Sequence, residues 1–481
     1  MTTKTSESIL PDGWELVIGL EVHAELATTT KLFSPAVNGF GAEPNTNVHP
    51  VCLGLPGTLP VLNRRAVELG VRIGLALECT IQRCVFARKN YFYPDMPKDY
   101  QISQYDLALN VDGRLELPSG PVIGIERAHL EEDTGSTTHI GESGRIHDAG
   151  YSLVDYNRAG VPLLEIVSRP EIRTPDQAKE YVEELRSILV AVGASDGKME
   201  EGSLRVDANV SVRPVGSDEL RTRCEIKNVN SLRSLGRAVT YEARRHVSLY
   251  EAGEPPIQET RHWDEESGRT RAGRSKEEAE DYRYFADPDL VPFAPEPAWV
   301  EEIAASLPPL PRRRRQALVD AGGDPAAAAI AVDRGLDRLA LDAIAAGADP
   351  ARVLTHVANN LAVDGAERLD PAHLAALVGM ETGGDLTATQ AKQVLAEMVV
   401  SGRAPDTIAA EKGFEAMDTG ALESMLDEII AANPDEWERF CTGDDKARGK
   451  LQGFFTGQIM RATKGQADGA AVARLLTAKR S

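Results

Sequence analysis

The sequence predicts an α+β protein: a domain on a mixed or antiparallel sheet, then an all-α helical domain and a small helical tail domain. Two observations predict this. Before residue 294, apolar residues alternate with period two in several segments, as in half-buried strands, and a few segments have helical spacing. Of the 25 Phe, Trp and Tyr residues, only five follow Trp299. The later part is rich in Ala, Leu, Asp and Glu at helical spacing.

Breaks in composition divide the chain into three predicted domains. The Pro-punctuated segment at 293–299 marks the first boundary, so we expect a sheet domain at 1–293 and a helical domain at 294–409. Gly-rich and Pro-rich breaks separate short helices in the second domain. A last helical unit is expected at 410–481.

Composition limits the class of protein. Of the 481 residues, 42% are hydrophobic, which is enough for globular cores, and the net charge of −21 argues against a non-specific nucleic-acid coat. The start lacks a secretory signal and no apolar run approaches ~18 residues, so a cytoplasmic protein is expected. Five scattered cysteines predict neither a disulfide framework nor a complete zinc site.

The first predicted strand, at 14–26, places two candidate metal ligands on one face. Glu21 and His23 are two residues apart and therefore point to the same side of a strand. The other face is apolar, with Leu16, Ile18, Leu20, Val22 and Ala24. A carboxylate and an imidazole suit a divalent cation, although solvent-facing strands often carry such a pair without binding metal.

Further strands and helices follow in order. Residues 204–213 alternate strictly, with Asp207 among the outward residues, and with 221–227 they predict an antiparallel hairpin. Its outward charges are either solvated or the floor of a substrate site. Helices are expected at 175–192, with Asp176 as N-cap, and at 232–252.

Two segments have a composition suited to binding. Residues 88–105 hold four of the 11 tyrosines together with Lys89 and Lys98. Their rings suit stacking on a base or ribose and the lysines suit phosphate, but an ordered structural loop has the same composition. Residues 129–133 place three adjacent acids beside an imidazole, and such acids repel one another unless a cation or proton joins them.

The C-terminal segment is locally basic. From 446 to 481 it has eight Lys and Arg residues and one Asp, so it could meet phosphates, or it is a solvated helical tail. A P-loop is excluded, because 443–450 has the wrong spacing and Leu451 replaces the hydroxyl residue.

Six strings in a fixed order resemble one family, the GatB/GatE family of aspartyl/glutamyl-tRNA amidotransferase subunits. They are Gly19–His23, Arg88–Asp95, Tyr100–Gln104, His129–Asp133, Lys198–Arg205 and Asp281–Phe285. The resemblance runs essentially end to end. It implies that the sheet domain is a cradle-shaped catalytic domain and that the tail domain is YqeY-like, with the latter likeness around 458–465.

The resemblance implies an ATP-dependent transamidation. Such subunits phosphorylate the side-chain carboxylate of Glu on tRNA(Gln), of Asp on tRNA(Asn), or of both, and ammonia then displaces phosphate. The family's metal and kinase positions fall on Glu21, His23, Glu132 and Asp207, with Glu131 close by, and the expected metal is Mg²⁺. Lys89 matches an active-site lysine of the family.

Binding residues are expected in the tyrosine-rich segment and in the basic tail, and the resemblance implies the partners. Contacts to ATP or to the tRNA 3′ end are expected from Arg88, Lys89, Tyr91 and Tyr93, and tRNA contacts of the tail from Arg461 and Lys464. No amidase signature occurs in this chain. The expected partners are therefore mischarged tRNA, an amidase subunit (GatA) that supplies ammonia, and a small clamp subunit (GatC) in a heterotrimer.

One departure from the family concerns zinc. Many members carry four cysteines where this chain has Ser34, Ala36, His49 and Cys52. Two potential ligands do not make a four-coordinate site, so we expect no zinc.

Two other functions remain alternatives. One is a tRNA-binding assembly subunit whose active face has decayed, and the other is a relative of the archaeal GatE type, specific for tRNA(Gln). The presence of the metal-face residues argues against decay, and the length leaves no room for the inserted domain of the archaeal relatives.

Overall fold

The fold is α+β, as predicted. The structure, a computed structural model, describes residues 9–141, 149–273, 282–414, 419–463 and 469–480. It contains two compact units, Met1–Pro311 and Arg312–Ser481. The division by function into 1–293, 294–409 and 410–481 stays a prediction.

The first unit is built on a mixed nine-stranded sheet. Its strands, in chain order, are β1 (Trp14–Glu25), β2 (Thr80–Ile81), β5 (Asn110–Glu116), β6 (Val122–Glu132), β9 (Pro162–Ser168), β10 (Leu204–Pro214), β11 (Cys224–Val229), β12 (Thr260–Asp264) and β13 (Arg269–Ala272). The spatial order is β13-β12-β11-β10-β1-β9-β6-β5-β2, in which the β11–β12 pair is parallel and the other described pairs are antiparallel.

Two small sheets accompany it. One joins β14 (Phe285–Ala286), β3 (Ala87–Asn90) and β4 (Tyr100–Ser103), and the other is the hairpin of β7 (Ser136–Ile140) and β8 (Tyr151–Asp155). The first is important for the site, because it brings the tyrosine-rich segment to the end of β6, where Gln101 donates to the Glu132 carbonyl.

Helices cover one face of the large sheet. These are α1 (Arg64–Ala76), α2 (Pro175–Ala191) and α3 (Leu232–Glu251), and α4 (Pro297–Ala305) packs on α1. The predicted apolar face of β1 lies in this core, with all five residues at most 2% exposed. The polar side chains of β1 therefore point to the uncovered face, which is where the sequence placed Glu21 and His23.

The predicted hairpin and helices are confirmed, with one correction. Strands β10 and β11 pair antiparallel, and α2 and α3 match their predicted bounds within one residue. The N-cap of α2 is Thr174, not Asp176, since the Thr174 hydroxyl accepts from the Gln177 amide. Pro175, which lacks an amide hydrogen, suits the first helical position, and this moves the cap one residue before it.

The second unit is helical. Its helices are α5 (Pro311–Asp320), α6 (Pro325–Asp333), α7 (Asp337–Ala345), α8 (Pro350–Asn359), α9 (Pro371–Gly383), α10 (Ala388–Ser401), α11 (Pro405–Glu411), α12 (Thr419–Ala432), α13 (Pro434–Thr442), α14 (Asp445–Ala462) and α15 (Gly469–Arg480). One apolar core joins residues 318–409 and a separate core joins 422–476. Among the described residues, none of the helices has both the length and the apolarity needed to cross a bilayer.

Candidate active site

A cavity of about 800 Å³ opens on the uncovered face of the large sheet. Five adjacent strands, in the order β11-β10-β1-β9-β6, supply much of its wall. The lining acids are Glu21, Glu131, Asp133, Glu165, Asp207 and Glu225, and the lining cations are Lys89, Arg127, Arg205 and Lys227. Histidines and tyrosines complete a strongly polar wall, so the cavity suits a charged substrate rather than an apolar one.

Three side chains in this wall form a cluster able to hold a metal ion. A ligand atom from each of His23, Glu131 and Glu165 lies within 4.8 Å of the others. His23 Nε2 is 3.4 Å from Glu165 Oε2 and 3.8 Å from Glu131 Oε1. The strand register explains the meeting, because Glu165 on β9 lies opposite His23 on β1 and opposite His129 on β6.

Opposite charges stabilise one another in this cluster. Burial opposes a charge on His23, but the hydrogen bond and charge of Glu165, with the charges of Glu131 and Asp207, raise the His23 pKa to about 9. Burial also opposes the Glu165 charge, and the attraction of His129 and His23 outweighs it, so the Glu165 pKa lies well below its usual range. A metal ion and a proton thus compete for the His23 imidazole.

Glu165 is a residue of the cluster that was not predicted from the sequence. It is the one charged residue of β9, in the run Pro162–Ser168, whose other six residues are buried. An acid in an otherwise buried strand costs free energy unless it is paired, and this was the available signal. Its partners, His23 and His129, are 142 and 36 residues away in the chain, so the sequence alone does not show the pairing.

Glu21 and Asp207 lie beside the cluster with partners of their own. They face each other across β1 and β10. Glu21 accepts a hydrogen bond from Asn209 at 2.9 Å, and burial, followed by the charges of Glu165 and Glu225, raises its pKa above the ordinary value. Asp207 Oδ2 is 2.8 Å from the Lys227 ammonium.

Glu132 is not part of the cavity wall. It is 3% exposed and forms a buried ion pair with Lys98, and it also accepts from the Ile102 amide at 2.9 Å. Strand periodicity is the reason: His129, Glu131 and Asp133 point to the cavity and Glu132 points away. The structure therefore brings Glu131, and not Glu132, to His23.

Aromatic rings form another part of the wall. Tyr91 and Tyr93 stack with ring centres 4.6 Å apart, and Tyr105 and Tyr284 stack at 4.2 Å. Lys89 points into this region with its ammonium 4.5 Å from the centre of the Tyr282 ring. Tyr282 and Tyr284 belong to a string that carries the resemblance, and their place in this wall was not predicted from the sequence.

Arg88 points away from the cavity, on the other side of β3 from Lys89. Its guanidinium is 2.8 Å from Asp287 and 3.0 Å from Asp289, and it lies over the Tyr100 ring. Arg88 therefore fixes the small sheet. It does not line the cavity, which corrects its expected role in binding ATP or the tRNA 3′ end.

The remaining predicted residues are those of the basic tail and of the positions compared for zinc. Arg461 is exposed near the end of α14, and Lys464 lies outside the described residues. Ser34 Oγ and Cys52 Sγ are 3.2 Å apart, so these two positions do meet.

The donor set of the cluster suits a hard divalent cation. One imidazole and two carboxylates are ligands that Mg²⁺ and Mn²⁺ accept, whereas structural zinc commonly has thiolates. Ser103 donates to Glu131 at 3.3 Å, so this carboxylate is also oriented from outside the cluster.

Comparison with known proteins gives the same family throughout. Residues 16–301 match the GatB/GatE catalytic domain and residues 352–479 match the GatB domain. The chain is 49% identical to the GatB-type subunit of the aspartyl/glutamyl-tRNA(Asn/Gln) amidotransferase of Thermobifida fusca, over 96% of this chain and 93% of the relative. It is 51% identical to the corresponding subunit of Salinispora arenicola, over 96% of each chain.

Proposed function

The chain belongs to the GatB/GatE family, and from this premise we propose that the cavity on the large sheet is where it phosphorylates and amidates an aminoacyl-tRNA. The chain is an enzyme subunit of a multi-subunit amidotransferase. Its activity is the ATP-dependent transamidation of aspartyl-tRNA(Asn), glutamyl-tRNA(Gln) or both.

The chemistry explains why the cavity must handle phosphate. Ammonia does not displace oxide from a carboxylate, so the side-chain carboxylate first attacks the γ-phosphorus of ATP and ADP departs. Ammonia then attacks the acyl carbon of the resulting acyl phosphate, a proton leaves the nitrogen, and phosphate departs with the bonding electrons. Both steps concentrate negative charge, which positive groups must offset.

We propose that His23, Glu131 and Glu165 hold Mg²⁺, with Glu21 beside them. When bound, the ion offsets the charge on the phosphoryl group that is transferred. The protein's own part is to fix its ligands: His129 lies 3.4 Å from Glu165 Oε2, and Ser103 donates to Glu131. Glu132 acts differently, because through Lys98 it anchors the segment that carries the tyrosines.

Lys89 and the tyrosines are proposed to hold the nucleotide part of a substrate. The Lys89 ammonium binds phosphate as a point charge, and no described carboxylate forms an ion pair with it. The stacked rings of Tyr91 with Tyr93 and of Tyr105 with Tyr284 offer faces to an adenine, either of ATP or of the tRNA 3′ end.

Arg205 is suited to bind the side-chain carboxylate of the aminoacyl group. Its guanidinium lines the cavity and is anchored at 2.7 Å on Asp133. A guanidinium held at one edge can still present other N–H groups to a planar carboxylate.

Three partners complete the proposal. We propose that ammonia comes from an amidase subunit of the GatA type, joined through a GatC-type clamp, because no amidase signature occurs in this chain. We also propose that Arg461 and Lys464 in the basic tail contact tRNA phosphates, which would neutralise part of its backbone charge.

One observation supports this function above the others: the metal-type cluster and the Lys89–tyrosine region line a single cavity. Lys89→Met tests it. Removing the ammonium leaves the ring contacts, so we expect ADP formation that depends on mischarged tRNA to fall by about 100-fold in the assembled complex.

Arg83→Met is the matched control, since it removes an exposed cation six residues earlier that does not line the cavity. Both mischarged tRNAs are assayed. An unchanged rate in Lys89→Met would refute the phosphate-binding role, and ADP formation that is independent of mischarged tRNA would refute the proposed function.

A further inference from the structure

The cavity contains a second acidic group, next to the proposed metal cluster. Asp207 on β10 and Glu225 on β11 line the wall, and Glu21 on β1 faces Asp207. Three carboxylates on three neighbouring strands repel one another unless a cation lies among them. In two-metal phosphoryl-transfer sites a second divalent ion takes such a place.

Here a lysine takes that place. The Lys227 ammonium is 2.8 Å from Asp207 Oδ2 and 3.2 Å from Glu225 Oε1. The other oxygen of Glu225 accepts from the Thr260 hydroxyl at 2.8 Å, and Glu21 accepts from Asn209. Each carboxylate of the group therefore has a fixed partner in the protein.

The two acidic groups differ in their counterions. Among the described residues, the carboxylates of Glu131 and Glu165 have only the imidazoles of His23 and His129 within ion-pairing distance. Asp207 and Glu225 have a permanent cation, and their charges, against the effect of burial, raise the Lys227 pKa above its ordinary value. The backbones of β10 and β9 are two strand spacings apart, roughly 10 Å, so both groups can act on one extended phosphate chain.

We propose that the Lys227 ammonium is a built-in substitute for a second metal ion, so that this cavity binds one divalent cation and excludes another. The inference rests on the proposed metal centre. It assigns Lys227 a positioning role: its charge keeps Asp207 and Glu225 ionised and in place, and adds a fixed positive pole to the cavity. A lysine, unlike a metal ion, cannot dissociate between turnovers.

The test counts bound Mn²⁺ per full-length chain by equilibrium dialysis and EPR, without ATP or tRNA. The unsubstituted chain should bind one tight ion. Lys227→Met removes the charge with little change in length, leaves three carboxylates together, and should bind two. Lys227→Arg keeps the charge and should bind one.

A double variant, Lys227→Met with Asp207→Asn, controls for weak binding elsewhere on this acidic chain and should return to one ion. If Lys227→Met does not fold, Lys227→Gln replaces it, because an amide is polar but uncharged, and this variant should also bind two ions. Two tight ions in the unsubstituted chain, or one in the folded Lys227→Met variant, would overturn the inference.

The failure of the inference and the failure of the metal centre give different results. If the metal centre is wrong, the single ion of the unsubstituted chain survives Glu165→Gln. If only the inference about Lys227 is wrong, that ion is lost in Glu165→Gln while the count in Lys227→Met stays at one.

Discussion

Glu165→Gln should abolish tight Mn²⁺ binding and lower ATP-dependent phosphorylation of the mischarged tRNA by more than about 100-fold. Substitutions in the outer shell of a metal site already cost roughly 10–100-fold, and a direct ligand should cost more. The variant also removes the charge that both His23 and His129 face. Metal affinity is measured by titration with Mn²⁺, and phosphorylation by ADP release in the assembled complex.

Glu126→Gln is the matched control for Glu165→Gln. Glu126 is an exposed carboxylate on the neighbouring strand β6, and it does not line the cavity. Its loss should leave both measurements unchanged. Full activity in folded Glu165→Gln would show that this carboxylate is not a metal ligand.

Glu132→Gln should instead destabilise the fold, by about 3 kcal/mol in the free energy of unfolding. Removing one partner of a buried ion pair leaves the other charge without compensation, here Lys98, whose side chain is 5% exposed. Urea unfolding of the full chain, followed by tryptophan fluorescence, measures the change, because three of the four tryptophans lie in the first unit. Activity at low temperature should follow the folded fraction.

Replacing both partners is the control that separates a structural role from a catalytic one. Lys98→Met with Glu132→Gln removes both charges together and keeps an acceptor oxygen for the Ile102 amide, so most of the stability should return. Mn²⁺ binding should persist in the double variant, whereas a metal-binding Glu132 would give a stable protein with no bound ion. Glu131→Gln should show the reverse pattern. Its stability should be near normal, because the substitution removes one acid from an acidic cluster, and it should bind no metal ion.

The sequence predicted local features because they depend on local periodicity. Alternation along β1 placed Glu21 and His23 on the open face and five apolar residues in the core. The hairpin of β10 and β11 and the helix α3 were found for the same reason. The N-cap of α2 lies two positions before the predicted one. A proline at the first helical position, here Pro175, places the cap at the residue before it.

The composition of the site was harder to predict, because it depends on pairing between distant strands. The order of β1, β9 and β6 brings Glu165 to His23, and no local pattern encodes that order. Among the adjacent acids, the choice of Glu132 came from the resemblance, whereas alternation from His129 would have selected Glu131. Alternation counted from the start of β6 would have assigned these acids to the wrong faces, because the strand register shifts between Ile125 and Arg127.

The most direct test of the central claim is the identity of the atoms bound to the metal. Pulsed EPR on the full chain with one equivalent of Mn²⁺ detects coupling to nitrogen nuclei within bonding distance. The structure predicts coupling to one imidazole nitrogen, lost in His23→Gln and kept in Lys98→Met with Glu132→Gln. A manganese signal without nitrogen coupling, or coupling that persists in His23→Gln, would contradict the assignment of the metal to His23, Glu131 and Glu165.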